Sequence, residues 1–287
     1  MNNIIVIGSA SIDLVVETNI VPDAGETVLG EHFFTTPGGK GANQAVAAAR
    51  LSDHVFMIGA VGDDAYGEQI LSNLRQNGVD TSMMEVIDGV ASGTAHITLY
   101  DNDNRIIVVP AANNYVTSDK VLEKLAQFNE GDIILLQQEI PYETVADVVT
   151  YAHEHGMKVV LNPAPYRELA QQIIDQVTWI TPNETECALL FNDDEASALA
   201  AYPNKLIITK GAEGALYHDG ADVQRVESFK RTVVDTTGAG DTFNAALAVA
   251  LNENKPLGEA VRFANLAGSI SVTGKGAQGG MPYRKDM

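Results

Sequence analysis

The chain has 287 residues, 45% of them hydrophobic and 20% charged, which suits one large globular domain or two small ones and excludes a disordered or fibrous protein. Its formal charge of −20 argues against binding nucleic acid or an anionic membrane surface, because both demand a basic face. An acidic protein can still hold a nucleotide where backbone N–H groups, a lysine or a magnesium ion act locally against the general repulsion.

Strand and helix patterns alternate along the chain. IIVIG (4–8) is a short, fully apolar run of the kind that forms a buried parallel strand. HVFMIGAVG (54–62), DIILLQ (132–137), KVVLN (158–162), VTWIT (177–181) and KLIIT (205–209) have the same character. Between them, Ile70, Leu71 and Leu74 share a helical face before Gly78. Val121, Leu122, Leu125 and Phe128 share another, behind the cap candidates Thr117 and Ser118. The alternation predicts an α/β sandwich built on a mostly parallel central sheet. No signal peptide is expected, since the N-terminal run lacks a basic leader and is broken by Gly8, Ser9 and Asp13. No apolar run approaches a membrane span. Cys187, the single cysteine, lies in the apolar run CALLF; a core thiol is expected there, with a reactive thiol as the alternative. No intrachain disulfide can form, which fits a cytoplasmic setting.

Two stretches interrupt the alternation. ETVLGEHFFTT (26–36) is strand-like with no helix before it. SGTAHITLYDNDNRIIVVP (92–110) predicts an antiparallel hairpin around an Asp-Asn-Asp-Asn turn. These strands belong either to a small separate sheet or to an antiparallel edge of the main one. No repeat or linker divides residues 1–287, so a single domain with an insertion is expected.

The most informative segment is VVDTTGAGDTFNAALAVAL (233–251). Val233 and Val234 end a strand-like run. Phe243, Ala246, Leu247, Ala250 and Leu251 then recur at helical spacing, so Gly238, Ala239 and Gly240 fall where a helix begins. Unpaired N–H groups and glycines at a helix start make an anion hole suited to a phosphoryl group in transfer. Asp241, in the first turn, is placed to accept a proton from an attacking hydroxyl. The positive field there should keep it ionised and make it a weak base. By itself, GAGD also fits an ordinary strand-to-helix turn.

The full DTTGAGDTF string resembles the C-terminal signature of the ribokinase-like carbohydrate kinases, and TPGGKGANQAVAAARL (36–51) resembles their N-terminal sugar-binding signature. QQEIP (137–141) and NETE (183–186) match in order between them, so the resemblance runs from about residue 4 to residue 282. The wording GGKGANQAVAA is nearer the ribose branch than the fructose or adenosine branches.

The resemblance implies a Rossmann-like, ribokinase-like sheet sandwiched by helices, with a small antiparallel β lid from about 14–36 and 92–110. It implies ATP-dependent phosphorylation of the 5-hydroxyl of ribose, with deoxyribose, fructose or a nucleoside as alternative acceptors. A catalytically silent sugar sensor on the same scaffold is a further alternative. Asp13, Gly39, Lys40, Asn43 and Glu139 would meet the sugar, with Asp241 as base and Gly238, Ala239 and Gly240 as the anion hole. Asp13, following the first strand, would sit at the carboxyl edge of the sheet. Asn183 and Glu186 would serve the phosphates and the magnesium-bound water shell, and they also fit a helix capping box. Thr209, Gly211 and Gly214 would lie along the nucleotide, with Gly240 and Asn265 towards its adenosine end. A monovalent cation such as potassium would sit among Asp235, Thr237, Ser271, Gly274, Gly276 and Gly280. The lid would pair two chains as a homodimer. Ser11 stands where the ribose branch usually carries Asn, and the chain ends at Met287 without the further C-terminal helix of many relatives.

No G-x-x-x-x-G-K-[ST] is present, which argues against a Walker-type NTPase; the first strand lacks G-x-G-x-x-G, and Phe243 occupies the third glycine position after Gly238-Ala239-Gly240, which leaves a dinucleotide oxidoreductase a poor alternative. His153 and His155, two apart on an expected helix, do not share a face as zinc ligands would.

Overall fold

The computed structural model describes residues 2–101, 103–192 and 194–287. In chain order, β1 (Ile4–Ile7) is followed by β2 (Ser11–Glu17), β3 (His32–Gly38) and α1 (Lys40–Leu51). Next come β4 (Val55–Gly62), α2 (Ala65–Gln76), β5 (Met84–Ile87), β6 (Gly93–Tyr100) and β7 (Asp103–Val109). A strand–helix alternation follows through α3 (Ser118–Leu125), β8 (Ile133–Leu136), α4 (Tyr142–Glu154), β9 (Lys158–Leu161), α5 (Gln171–Gln176) and β10 (Trp179–Ile180). The last part holds α6 (Glu184–Phe191), α7 (Glu195–Ala201), β11 (Ile207–Thr209), β12 (Ala215–His218) and β13 (Val223–Val226). It closes with α8 (Ala239–Asn252), α9 (Leu257–Ser271) and the single turn α10 (Gly276–Gly279).

Six strands pair in parallel in the order β10-β9-β8-β1-β4-β5. Both faces are covered, which is why these strands read as continuous apolar runs. Successive side chains point to opposite faces. Ile4 and Val6 of β1 therefore pack with α1, α2, α8 and α9, while Ile5 and Ile7 pack with α3 to α7. Cys187 lies in the second of these cores, and burial, with Glu195 adding to it, pushes its thiol up to about 11. That environment suits a core thiol and not a reactive one.

The extra strands form a separate four-stranded sheet in the order β3-β2-β6-β7. Its outer pairings are antiparallel and its middle pairing, β2 with β6, is parallel. The Asp-Asn-Asp-Asn turn expected there includes Asn102, which lies outside the described residues. A second small sheet, β11-β12-β13, is antiparallel throughout.

Two strand expectations need correction. The strand expected over 26–36 begins at His32, because β2 ends at Glu17 and offers no partner beyond it; Leu29 is 92% exposed. Val233 and Val234 belong to no strand. The amides of Val234 and Asp235 instead donate to the Val272 carbonyl at 2.8 and 3.2 Å. β-branched residues make a strand only where a neighbouring strand pairs with them.

α8 fixes the position of the site. Every residue from Asp241 to Asn252 is buried, and its alanines allow α1 and α9 to approach closely. A helix apolar on all sides must lie inside the molecule. Its first turn emerges at the carboxyl edge of the parallel sheet, where open α/β sheets bind ligands. Among the described residues no helix is long and apolar enough to cross a membrane.

Candidate functional site

Gly238 caps α8 at φ 77°, in the left-handed region, and a Cβ there would lie 2.3 Å from the Ala277 carbonyl oxygen. Any side chain is thus excluded twice, by conformation and by contact. Gly240 differs. A Cβ there would meet no protein atom within 4 Å, so the space its absence leaves open is the cleft that Gly240 lines. The amides of Gly240 and Asp241 occupy helix positions with no carbonyl four residues back to accept them. Of the expected amide ring, Ala239 drops out, because its N–H already donates to the Thr236 carbonyl at 3.2 Å.

Asp241 is 7% exposed. Its Oδ2 accepts from Asn43 Nδ2 and its Oδ1 from Gln44 Nε2, each at 3.0 Å. Burial raises its pKa, and the opposing effects of Lys40, Gln44 and Asn43 do not offset the rise, to which Glu139 adds. Burial thus acts against the weakening of this carboxylate that the helix start was expected to produce, because desolvation disfavours the charged form.

Lys40 opens α1 behind Gly39, which sits at φ 88° with Ala10 Cα and Ser11 N 2.9 Å from where a Cβ would lie. Burial works against the Lys40 ammonium, but Asp241, Glu139 and Glu186 outweigh it and hold its pKa above the ordinary value. Glu139 is not a solvated loop carboxylate. Its Oε2 accepts from Ser9 Oγ at 2.5 Å and from the Lys40 amide at 2.9 Å, so it caps the start of α1. Asp13 is placed differently from the expectation, on β2 of the separate sheet, opposite Thr36 and Ala95. Its carboxylate lies against Gly38, where a Cβ would come within 2.2 Å of Oδ1. Burial pushes its pKa up to about 6, with Glu139 and then Asp241 adding to the effect. Asp13, Glu139 and Asp241 thus share one field with the single ammonium of Lys40. Carboxylate oxygens have lone pairs beyond those bonds, and a neutral polyhydroxy ligand can donate to them.

A cleft of about 150 Å³ gathers Lys40, Gly238, Gly240 and Asp241 with Asn183, Glu186 and Thr209. Asn183 and Glu186 form a capping box on α6: Asn183 Oδ1 accepts from the Glu186 amide at 2.8 Å, and Glu186 Oε2 accepts from the Asn183 amide at 2.9 Å. The cleft also includes Asn162, Thr181 and Asn244, which the sequence reading missed. Asn162 and Thr181 directly follow β9 and β10, so the carboxyl-edge rule could have found them. Thr181 Oγ1 donates to Asn244 Oδ1 at 2.5 Å, and Asn244 Nδ2 donates to the Gly240 carbonyl at 2.9 Å, which fastens the glycine turn from behind.

Other expected residues lie outside this cleft. Gly211 and Gly214 belong to the turn between β11 and β12. Asn265 is 5% exposed and not on a helix surface, because its amide donates to the Val226 carbonyl at 2.8 Å. Asn43 is more committed than expected, since its Oδ1 also accepts from Gln278 Nε2 at 2.9 Å. The six residues expected around a cation fall in one loop cluster. Asp235 accepts from the Thr237 amide at 2.9 Å and the Gly276 amide at 2.8 Å. A Cβ on Gly280 would lie 1.9 Å from the Ser271 carbonyl oxygen, and one on Gly274 would lie 2.5 Å from Gly280. Among the described residues no group of three His, Cys, Asp or Glu side chains is arranged to hold a metal ion. A larger hollow of about 360 Å³ beside Phe229 and α9 contains none of the expected site residues.

The sequence model of one family, pfkB family carbohydrate kinase, matches residues 1–284. The chain is 55% identical to ribokinase of Bacillus subtilis (strain 168), over 100% of this chain and 98% of that protein. It is 35% identical to deoxyribokinase of Salmonella typhi, over 98% of this chain and 95% of that one. The structure of Arabidopsis thaliana ribokinase complexed with ribose and ATP superimposes with a TM-score of 0.90 at 32% identity, covering 99% of this chain and 97% of that one.

Proposed function

Because this chain belongs to the pfkB family of carbohydrate kinases, we propose that it transfers the γ-phosphoryl group of ATP to the 5-hydroxyl of D-ribose. The observation that carries this is the buried Asp241 carboxylate beside the open Gly240 turn, facing Lys40 across one cleft. The sugar hydroxyl gives its proton to Asp241 as its oxygen bonds to the γ-phosphorus. The bond from that phosphorus to the bridging oxygen breaks, and ADP departs with the electron pair. The amides of Gly240 and Asp241 stabilise charge on the transferring group, for which positioning and electrostatics matter most. Asp13, Gly39, Asn43 and Glu139 hold the sugar. The carboxylates repel phosphate, so the nucleotide lies on the side of Gly238, Asn183 and Thr209, with Gly211, Gly214 and Asn265 further along it.

Magnesium, bound with ATP, neutralises phosphate charge and keeps most of its waters. Glu186, which lines the cleft, is placed to orient such a water shell. A monovalent cation, potassium in the first instance, fits the loop of Asp235, Thr237, Ser271, Gly274, Gly276 and Gly280, where backbone carbonyls supply hard oxygen donors. A homodimer through the lid is supported by its uncovered apolar residues, including Phe33 at 65% and Ile107 at 71% exposure. The single buried thiol fits the reducing cytoplasm.

Measuring ADP release with a panel of pentoses, hexoses and nucleosides, with and without potassium, tests the assignment. Ribose should give the highest kcat/KM. Equal rates with ribose and 2-deoxyribose would remove the preference for ribose, a point to which Ser11 on β2 is relevant.

A further inference from the structure

Behind Asp241 lies a chain of buried carboxamides that contacts no cleft surface. Gln44 and Gln137 are both fully buried. Gln137 Nε2 donates to Gln44 Oε1 at 2.7 Å, and Gln44 Nε2 donates to Asp241 Oδ1 at 3.0 Å. An ionised carboxylate selects the donor end of a carboxamide, and a partner on the amide oxygen fixes the plane in which that donor is presented. Gln137 does this for Gln44. On the other carboxylate oxygen the same logic recurs: Asn73 donates to Gln278 at 2.8 Å, Gln278 to Asn43 at 2.9 Å, and Asn43 to Asp241 at 3.0 Å. Two polarised chains thus converge on one carboxylate with donors foremost.

This arrangement carries a local cost. Gln137 Oε1 is buried without a hydrogen-bond partner, and it lies 2.0 Å from where a Cβ on Gly8 would sit. An unmet buried amide oxygen is unfavourable, and apolar side chains of similar volume would avoid it. The polar chain makes sense if its far end has a task.

We infer that Gln44, oriented by Gln137, is a positioning residue for phosphoryl transfer: it fixes the plane of the Asp241 carboxylate and favours its charged form, leaving a lone pair free for the sugar hydroxyl. The inference rests on Asp241 being the base. The charged groups facing Asp241 are Lys40 from α1, Glu139 from the loop after β8 and Asp13 from β2. Only Lys40 among them supports the ionised form, so the two amide donors supply the remaining stabilisation.

Gln44→Met keeps the volume and removes both polar ends. With saturating ribose and ATP, kcat should fall about tenfold or more, as expected for loss of a hydrogen bond to a charged group. KM for both substrates should stay within about threefold, because no binding contact is removed. The acidic limb of the kcat profile should move to higher pH, since one donor that favours the carboxylate is gone. Unchanged kcat and an unmoved limb in the folded variant would overturn the inference, as would a rise in KM alone. If Gln44→Met does not fold, Gln137→Met serves, because it releases the Gln44 oxygen and loosens the plane of its amide; a smaller fall in kcat with a smaller limb shift in the same direction is expected, and an unchanged profile again overturns it. Asp241→Asn separates the two levels. If that variant turns over normally, the role of Asp241 as base fails. If it is inactive while Gln44→Met matches the parent enzyme, only the role of Gln44 fails.

Discussion

Two segments of nearly identical sequence meet opposite fates in this molecule. Ile4-Ile5-Val6-Ile7 in β1 is 0% exposed at every position. Ile106-Ile107-Val108-Val109 in β7 is 51%, 71%, 52% and 44% exposed. β1 has a parallel partner on each side and helices on both faces, whereas β7 closes the outer edge of a four-stranded sheet. The difference shows that apolar content specifies a strand, while the neighbours specify its role. One segment builds the support beneath Asp241, and the other leaves an apolar surface exposed, the surface on which the proposed homodimer rests.

The sharpest way to break this division is at the supported end. Asp241→Asn should lower kcat by about a thousandfold while ribose binding persists, as measured by steady-state turnover and calorimetry. Normal turnover would mean that the buried turn does not perform the chemistry. Within the same supported region, Ile5→Ala should cost about 2–5 kcal/mol in stability by denaturant titration, since the cavity lies between two packed layers.

Asp13 sits between the two regions, on a lid strand but facing the site. Its folded pKa of about 6 stands above the value of 3.8 for the free group. The folded state therefore holds this proton more tightly than the unfolded chain does. The resulting penalty is absent below about pH 4, grows as the pH rises towards 6, and is fully present above that. At pH 7.5, without ligand, Asp13→Asn should raise stability by about 1–3 kcal/mol and the thermal midpoint by a few degrees, while ribose binding is lost. A lower midpoint would show that the carboxylate is better satisfied than its surroundings indicate. The smallest effect belongs to the lid edge. Ile107→Ser should change monomer stability by less than about 0.5 kcal/mol and yet weaken self-association in sedimentation experiments. A large loss of stability there would place Ile107 in the core after all.

Much of the framework was legible from residue order alone. The alternating apolar runs fixed a parallel sheet with covered faces, and the paired signatures around Lys40 and Asp241 identified the two sides of the cleft. Local chemistry sufficed for the Asn183–Glu186 capping box, because its partners lie three residues apart. It did not suffice for the run around Val233 and Val234, where strand propensity met no partner strand. Nor could it reveal Asn162, Thr181 and Asn244 as a group, or the chain from Gln137 through Gln44 to Asp241. Those contacts join residues 93 and 197 positions apart.

Residue order by itself determined the fold class and the glycine turn, which follow from periodicity and a short contiguous string, and it singled out Asp241 as the candidate base through the resemblance of that string to a family signature. The tertiary structure alone decided how deeply that carboxylate is buried, which amides remain free of a carbonyl partner, and which of two similar apolar strands stays exposed. Desolvation and hydrogen-bond partnership depend on what lies across space, and a linear pattern of residue types does not encode them.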